Sequence, residues 1–251
     1  MLTAERRAYI LSVLKRDGRV LVSSLGETLE VSIDTIRRDL RDLAAEGRLI
    51  RVHGGALPAS PAATSYAERQ RHLSDEKIAI ATRAAQLAQN GMVIVMGGGI
   101  TNVQIAAHFS PDLKATVITH SPPITSVLSE HPGVEVILAG GKLYQYTMVT
   151  VGSETVDTFR QIRADLCYLG VCSLHPEAGI TNVHYEETLV QRALIECAGE
   201  VIAPASSEKL GTAGTYRIGP LNELNTIITD RKANKETLQD YESFGIEIIL
   251  V

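Results

Sequence analysis

Seven short apolar runs, rich in β-branched residues, recur from residue 92 to the end: MVIVM, ATVIT, VEVILA, ADLCYLGV, EVIAPA, NTIIT and IEIILV. Between them lie segments with the length and mixed polarity of surface helices, among them SPPITSVLSEH, SETVDTFRQIR and EETLVQRALIECA. Strand and helix in alternation predict a largely parallel sheet covered by helices, an α/β architecture. No other pattern in the chain restricts its fold as tightly.

With 251 residues, 45% of them hydrophobic, the chain has ample material for a packed core, and disorder is excluded as its dominant state. No stretch reaches the ~18 consecutive apolar residues of a membrane span, and the opening MLTAERRAYI lacks the apolar stretch of a signal peptide. A soluble, cytoplasmic protein with no membrane partner is expected. Cys167, Cys172 and Cys197 are odd in number and show no paired spacing, which suits reduced buried thiols better than a disulfide framework or a zinc site. Neither a metal nor a cofactor is implied.

The small, Pro-rich stretch ALPASPAATS at 56–65 has no periodicity and reads as a linker rather than a surface loop. It divides the chain into an N-terminal unit (1–57), a linker (58–74) and a C-terminal unit (75–251). Residues 1–58 carry ten Lys or Arg against eight Asp or Glu, whereas the rest carries 14 against 21. A mildly basic head on an acidic body suggests different partners for each. Just after the linker, SYAERQRHLSDEKIAIATRAAQLAQNG predicts one long helix over 66–90.

In the head, Ile10, Val13 and Leu14 sit at helical spacing and Gly18 stops that helix. Ser23 is placed to cap a short second helix carrying Leu25 and Leu29, and Ser32 to cap a third that ends at Gly47. RLIRVHGGAL then alternates around a Gly-Gly turn like a β-hairpin. Three helices and a hairpin predict a winged helix-turn-helix. On the third helix Ile36, Leu40 and Leu43 fall within about 60° of one another, whereas Arg37, Arg41 and Arg38 lie roughly 100° to 200° from Ile36. A cationic face at the start of a short capped helix suits a major groove, where guanidinium takes phosphate oxygens or the N7 and O6 of guanine. Ser32 and Thr35 can add hydroxyl contacts, and Arg51 and His53 flank the wing's turn. The plainer alternative is a solvated face in which the arginines pair with Asp34, Asp39 and Asp42.

In open α/β sheets ligands settle beyond the carboxyl ends of strands. There the sequence places Gly97, Gly98 and Gly99, then Thr119, His120 and Ser121, then Gly140 and Gly141, then Cys172 and Ser173, and later Ser206 to Lys209 and Asp230. Glycines let the backbone approach a phosphate, Ile100, Thr101 and Asn102 open the following helix, and Lys209 supplies a point charge. The same glycines also suit a tight turn with no ligand.

The stretch VSIDTIRRDLRDLAAEGRLIRVHGGA closely resembles the N-terminal signature of the DeoR-type bacterial transcriptional repressors, in which TIRRDL lies on the recognition helix and RxHGGA forms the wing. The C-terminal part resembles the DeoR sensor domain, so the likeness spans nearly the whole chain. It implies a body folded like ribose-5-phosphate isomerase that binds phosphorylated sugars or related metabolites. By this resemblance Ser32, Thr35, Arg37, Arg38 and His53 contact DNA, and the glycine loop to Thr101, the Thr119 to Ser121 stretch and Gly141 lie at the effector site. Departures from the family pattern are Gly97 and Ile100 in the glycine loop, His120 for an Asn, Cys172 for an Asp, Gln191 for a Lys and Ser206 for an Asp. At least three of these positions have lost ionisable chemistry, so a standard sugar phosphate is a less secure expectation here.

The expectation is a DNA-binding transcriptional repressor of a carbohydrate-metabolism operon, working as a homodimer or homotetramer on double-stranded operator DNA and controlled by a small metabolite. Two rivals are a sugar-phosphate-processing enzyme with an accessory DNA-binding head, using Glu186 or Glu187, and an architectural protein whose body only oligomerises. No GxSxG, HExxH or Walker lysine supports catalysis.

Overall fold

A computed structural model describes all residues, Met1–Val251. The head comprises α1 (Thr3–Asp17), β1 (Val20–Leu21), α2 (Val22–Leu29), α3 (Ile33–Ala45), β2 (Leu49–Val52) and β3 (Gly55–Pro58). It is a winged helix-turn-helix. β3 pairs antiparallel with β2 and also with β1, so the wing is three-stranded rather than a bare hairpin. Gly18 ends α1 with φ of +70°. Ser32 caps α3 by accepting a 3.2 Å bond from the Thr35 N–H. Ser23 caps nothing: α2 begins one residue earlier, with Leu21 in the capping position. Ile10, Leu14, Leu25, Ile36, Leu40 and Leu43 form the centre of the head's core.

The Pro-rich stretch is fastened to the C-terminal body rather than spanning open space. Ala59 bridges Ala213, and the Ser60 hydroxyl donates to the Cys172 carbonyl at 3.0 Å. The single helix expected over 66–90 is two, α4 (Tyr66–Arg71) and α5 (Asp75–Ala85). Local start signals explain the break. Ser65 and Glu68 form a capping box for α4, and Ser74 stands at the N-cap of α5 with Asp75 and Glu76 in its first turn.

The body continues through β4 (Val93–Met96), α6 (Ile100–Ala107), β5 (Ala115–Thr119), α7 (Pro122–Leu128), β6 (Val134–Leu138), β7 (Lys142–Tyr144) and β8 (Val149–Val151). Then come α8 (Ser153–Arg160), β9 (Ala164–Tyr168), β10 (Ser173–His175), β11 (Gly179–Asn182), α9 (Tyr185–Cys197) and β12 (Ala198–Pro204). The chain closes with β13 (Tyr216–Gly219), β14 (Thr226–Thr229), α10 (Lys235–Glu242) and β15 (Glu247–Leu250).

All seven expected strands join one sheet in the order β15-β14-β12-β9-β4-β5-β6, and every neighbouring pair is parallel. Alternate residues of each strand serve opposite faces. Ile94, Met96, Leu166 and Tyr168 pack with Ile80, Ala84 and Ile105 on one side; Val95, Cys167 and Val201 pack with Val190 and Leu194 on the other. The hairpin of β7 with β8 and the small sheet of β10, β11 and β13 are absent from the expected strands, because each of their strands is only three or four residues long. Strand order reverses between β4 and β9. Sheets of this kind open a crevice at such a reversal.

Candidate functional site

Two places gather cationic side chains. On the head, Arg37, Arg38 and Arg41 lie exposed along α3. The acidic residues interleaved with them are mostly drawn away: Asp39, 1% exposed, takes Arg6 at 2.5 Å and Arg7 at 3.2 Å, and Arg7 also pairs with Asp42 and, at 3.7 Å, with Glu46. Only Arg37 keeps a carboxylate on its own face, Asp34 at 3.3 Å. Arg38 and Arg41 are solvated but form no ion pair, so the pairing part of the alternative does not hold for them. Arg37, Arg51 and His53 line a groove of about 360 Å³ between α3 and the wing. Ser32 and Thr35 sit at the α3 entrance, their hydroxyls bonded to each other at 2.9 Å.

The second place is a cavity of about 260 Å³ at the carboxyl ends of β4 and β9, where strand order reverses. Of the residues expected at an effector site, Gly98, Gly99, Ile100, Thr101, Asn102, His120, Cys172 and Lys209 line it. Gly97, Thr119, Ser121 and Gly141 do not. Thr119 is fully buried, its hydroxyl donating to the Met96 carbonyl at 2.8 Å and accepting from the Ser121 N–H at 3.1 Å. Gly141 packs against Thr155, and Ser121 opens α7 behind the lining.

Much of the glycine loop's chemistry is spent on packing. A Cβ on Gly98 would fall 2.3 Å from Val149, and one on Gly170 would fall 2.0 Å from the Gly98 carbonyl oxygen. Glycine at 170 lets the ends of β4 and β9 touch, and glycine at 98 lets the loop lie against Val149 of β8. Gly99 differs: its φ is +119° and no atom stands within 4 Å of where its Cβ would be. After it, the N–H groups of residues 99–102 make no backbone hydrogen bond, leaving the positive end of α6 directed at the cavity. His120 braces this loop. Its Nδ1–H donates to the Thr150 carbonyl at 3.0 Å while Nε2 accepts from the Gly98 N–H at 3.1 Å, a tautomer set by its partners. Burial lowers its pKa, so the ring is a neutral structural brace.

Other residues complete the lining. Arg69 and His72 at α4, Lys77 at the start of α5 and Thr147 in the β7–β8 turn are absent from the expected set, whereas Glu187 and Gln191 of α9 are the carboxylate of the enzyme alternative and a departure from the family pattern. Helical spacing alone could not find them, because each faces the cavity only once α4, α5 and α9 have docked on the sheet. Burial, with Arg69 and Lys77 adding repulsion, lowers the Lys209 pKa to about 8, and its ammonium donates to the Val171 carbonyl at 2.8 Å. Lys77 pairs with Glu208 at 3.4 Å. Asn182 donates to Glu187 at 3.1 Å and to Gln191 at 2.7 Å, and its Oδ1 accepts from the Cys172 thiol at 3.5 Å. Burial pushes that thiol up to about 11, so it is protonated and unreactive. Glu186 stays outside, exposed and 3.9 Å from Lys142.

Residues 6–61 match the DeoR-like helix-turn-helix domain and residues 73–231 the DeoR C terminal sensor domain. The chain is 34% identical to the HTH-type transcriptional repressor GlcR of Bacillus subtilis (strain 168), over 100% of this chain and 97% of that protein. It is 28% identical to the glycerol-3-phosphate regulon repressor of Escherichia coli (strain K12), over 100% of both. Among solved structures, ribose 5-phosphate isomerase A from Methanocaldococcus jannaschii aligns with 51% of this chain and 50% of its own, at 15% identity and a TM-score of 0.37. No helix is long and apolar enough to cross a membrane. A cationic recognition helix with a wing, joined to a sensor body and matched across both parts, makes this chain a member of the DeoR family of DNA-binding transcriptional regulators.

Proposed function

We propose that the chain represses a carbohydrate-metabolism operon in the cytoplasm and that a small phosphorylated metabolite in the cavity sets its affinity for operator DNA. One observation carries the reading: Lys209, Arg69 and the free N–H groups of α6 converge on one enclosed space whose carboxylates are already engaged. Glu187 accepts from Asn182, and Glu208 from Lys77 and Ser206. With three cations, Arg69, Lys77 and Lys209, against the two carboxylates Glu187 and Glu208 in the lining, an anion entering there meets net positive charge in a low-dielectric setting. Two heads are needed to read a two-fold operator, so the working form is a homodimer or homotetramer joined through the body.

The test is a thermal-shift comparison of pentose and hexose phosphates with their unphosphorylated parents, followed by operator gel shifts with and without each stabilising compound. Phosphorylated compounds should raise the melting temperature and alter the operator complex; if none does either, the reading is wrong. Glu187 supports a second reading, catalysis, because it is the buried carboxylate an isomerase would use as its base. Turnover of a sugar phosphate that disappears in Glu187→Gln would establish that reading, and its absence supports a sensor without chemistry.

A further inference from the structure

The segment that joins the wing to the body is also a wall of the ligand cavity: Ala62, Thr64, Arg69 and His72 all line it. Both ends of its first half are fastened. The Ser60 N–H donates to the Ala213 carbonyl at 3.0 Å and the Ala213 N–H to the Pro58 carbonyl at 2.9 Å; farther on, the Tyr66 N–H donates to the Tyr146 carbonyl at 2.7 Å and the Tyr146 hydroxyl to the Ala63 carbonyl at 3.2 Å. Tyr146 is itself held edge-on against His184, with ring centroids 5.2 Å apart. Beyond these bonds α4 carries Arg69, whose Nε is buried with no partner.

Arg69 is not alone in this. Six buried side-chain polar atoms in the molecule lack a hydrogen-bond partner, and three of them belong to residues of this cavity: Arg69 Nε, Asn102 Oδ1 and Thr147 Oγ1. Asn102 and Thr147 are 1% and 3% exposed. Buried polar groups are ordinarily paired, so a concentration of unpaired ones around one space marks where a polar ligand completes the bonding. Their chemistry describes that ligand. A guanidinium matches a phosphate, and an amide oxygen and a hydroxyl in the same lining match the hydroxyls of a polyol.

We propose that Arg69 is a ligand-binding residue carried by the interdomain segment, and that a phosphorylated polyhydroxy compound gripped by Lys209 and α6 on the body and by Arg69 on the segment ties the two together. The proposal rests on the reading above that the cavity takes an anionic metabolite. β3, the strand of the wing that pairs with both others, runs directly into the fastened residues 59 and 60. Ligand that binds better when α4 is closed over the cavity therefore biases the placement of the wing, and the same coupling makes DNA alter ligand affinity.

Arg71 is exposed at the end of α4, so tryptic cleavage after it reports opening of the segment. Full-length wild type and Arg69→Gln are compared by melting temperature and cleavage rate, with inorganic phosphate and a panel of pentose and hexose phosphates as probes. The wild type should be stabilised and cleaved at least about fivefold more slowly with a sugar phosphate. Arg69→Gln should bind about tenfold more weakly and lose the protection even at saturating ligand, consistent with losing one charged hydrogen bond. Equal affinity and equal protection in the two proteins, or a stabilised wild type whose cleavage is unchanged, would overturn the role of Arg69 and leave the cavity reading intact. No stabilisation of the wild type by any probe would take down both. Should the variant fail to fold, the wild-type cleavage measurement still decides whether ligand closes the segment.

Discussion

The α3 face and the ligand cavity each assemble three cationic side chains, but in opposite surroundings. On α3 the guanidinium groups stand in water, and the neighbouring Asp39 and Asp42 are pulled inward by Arg6 and Arg7. In the cavity Arg69, Lys77 and Lys209 are half-buried, and Lys209 gives up part of its affinity for a proton. The difference separates two kinds of anion recognition. On the proposed reading the exposed arginines act on an extended polyanion and release its counterions, so their effect is governed by salt. On the same reading the half-buried lysine acts on one small anion, so its effect is governed by pH.

The largest effect is expected from breaking the buried pair that takes Asp39 away from the arginine face. Asp39→Ala leaves Arg6, only 8% exposed, without its partner and should destabilise the head by about 3–5 kcal/mol, measured by chemical denaturation. A loss under about 1 kcal/mol would mean that the pair is not holding α1 to α3. Next come the arginines themselves. Arg38→Ala and Arg41→Ala should each weaken operator binding by about tenfold to a hundredfold in fluorescence anisotropy without lowering the melting temperature, and should flatten its salt dependence. Normal binding by both would remove α3 as the reading helix.

Lys209→Met is the matching change in the cavity. It should reduce sugar-phosphate affinity about tenfold while ligand-free operator binding stays unchanged. The smallest effect expected is that of pH on the wild type. A bound phosphate favours charged Lys209, so binding takes up a proton wherever the free lysine, with its pKa near 8, is neutral. Phosphate esters are already largely in the doubly ionised form at pH 7, their second pKa being about 6. Affinity measured by calorimetry should therefore fall severalfold from pH 7 to 9. The same depressed pKa means that ligand-free stability receives a rising contribution from Lys209 between about pH 8 and its unfolded value of 10.5.

Legibility in the sequence differed between the two sites for a physical reason. On α3, Ile36, Leu40 and Leu43 fix which side is buried, and Arg38 and Arg41 follow on the other side from helical geometry alone. What the pattern could not show was where the carboxylates would go, since Arg6 and Arg7 lie more than thirty positions away from Asp39. In the cavity, Gly98 to Asn102 and Lys209 were visible because they follow strands. Arg69 and Thr147 were not, because they come from a short helix and a hairpin turn whose orientations depend on docking, and docking also decides that Glu187 enters the lining while Glu186 does not. Gly97, Thr119 and Gly141 stand outside the lining for the converse reason: small or polar residues at strand ends also serve close packing.

Local chemistry by itself determined the seven strands, the winged head and the face that its third helix turns outward, since apolar periodicity, caps and turns act over a few residues. Pairings between distant segments had to come from the tertiary structure: which aspartates leave the arginine face, how the supposed linker becomes a cavity wall, and where one expected helix bends into two. Those outcomes depend on burial and charge compensation between elements that meet only when the sheet and its coverings have closed.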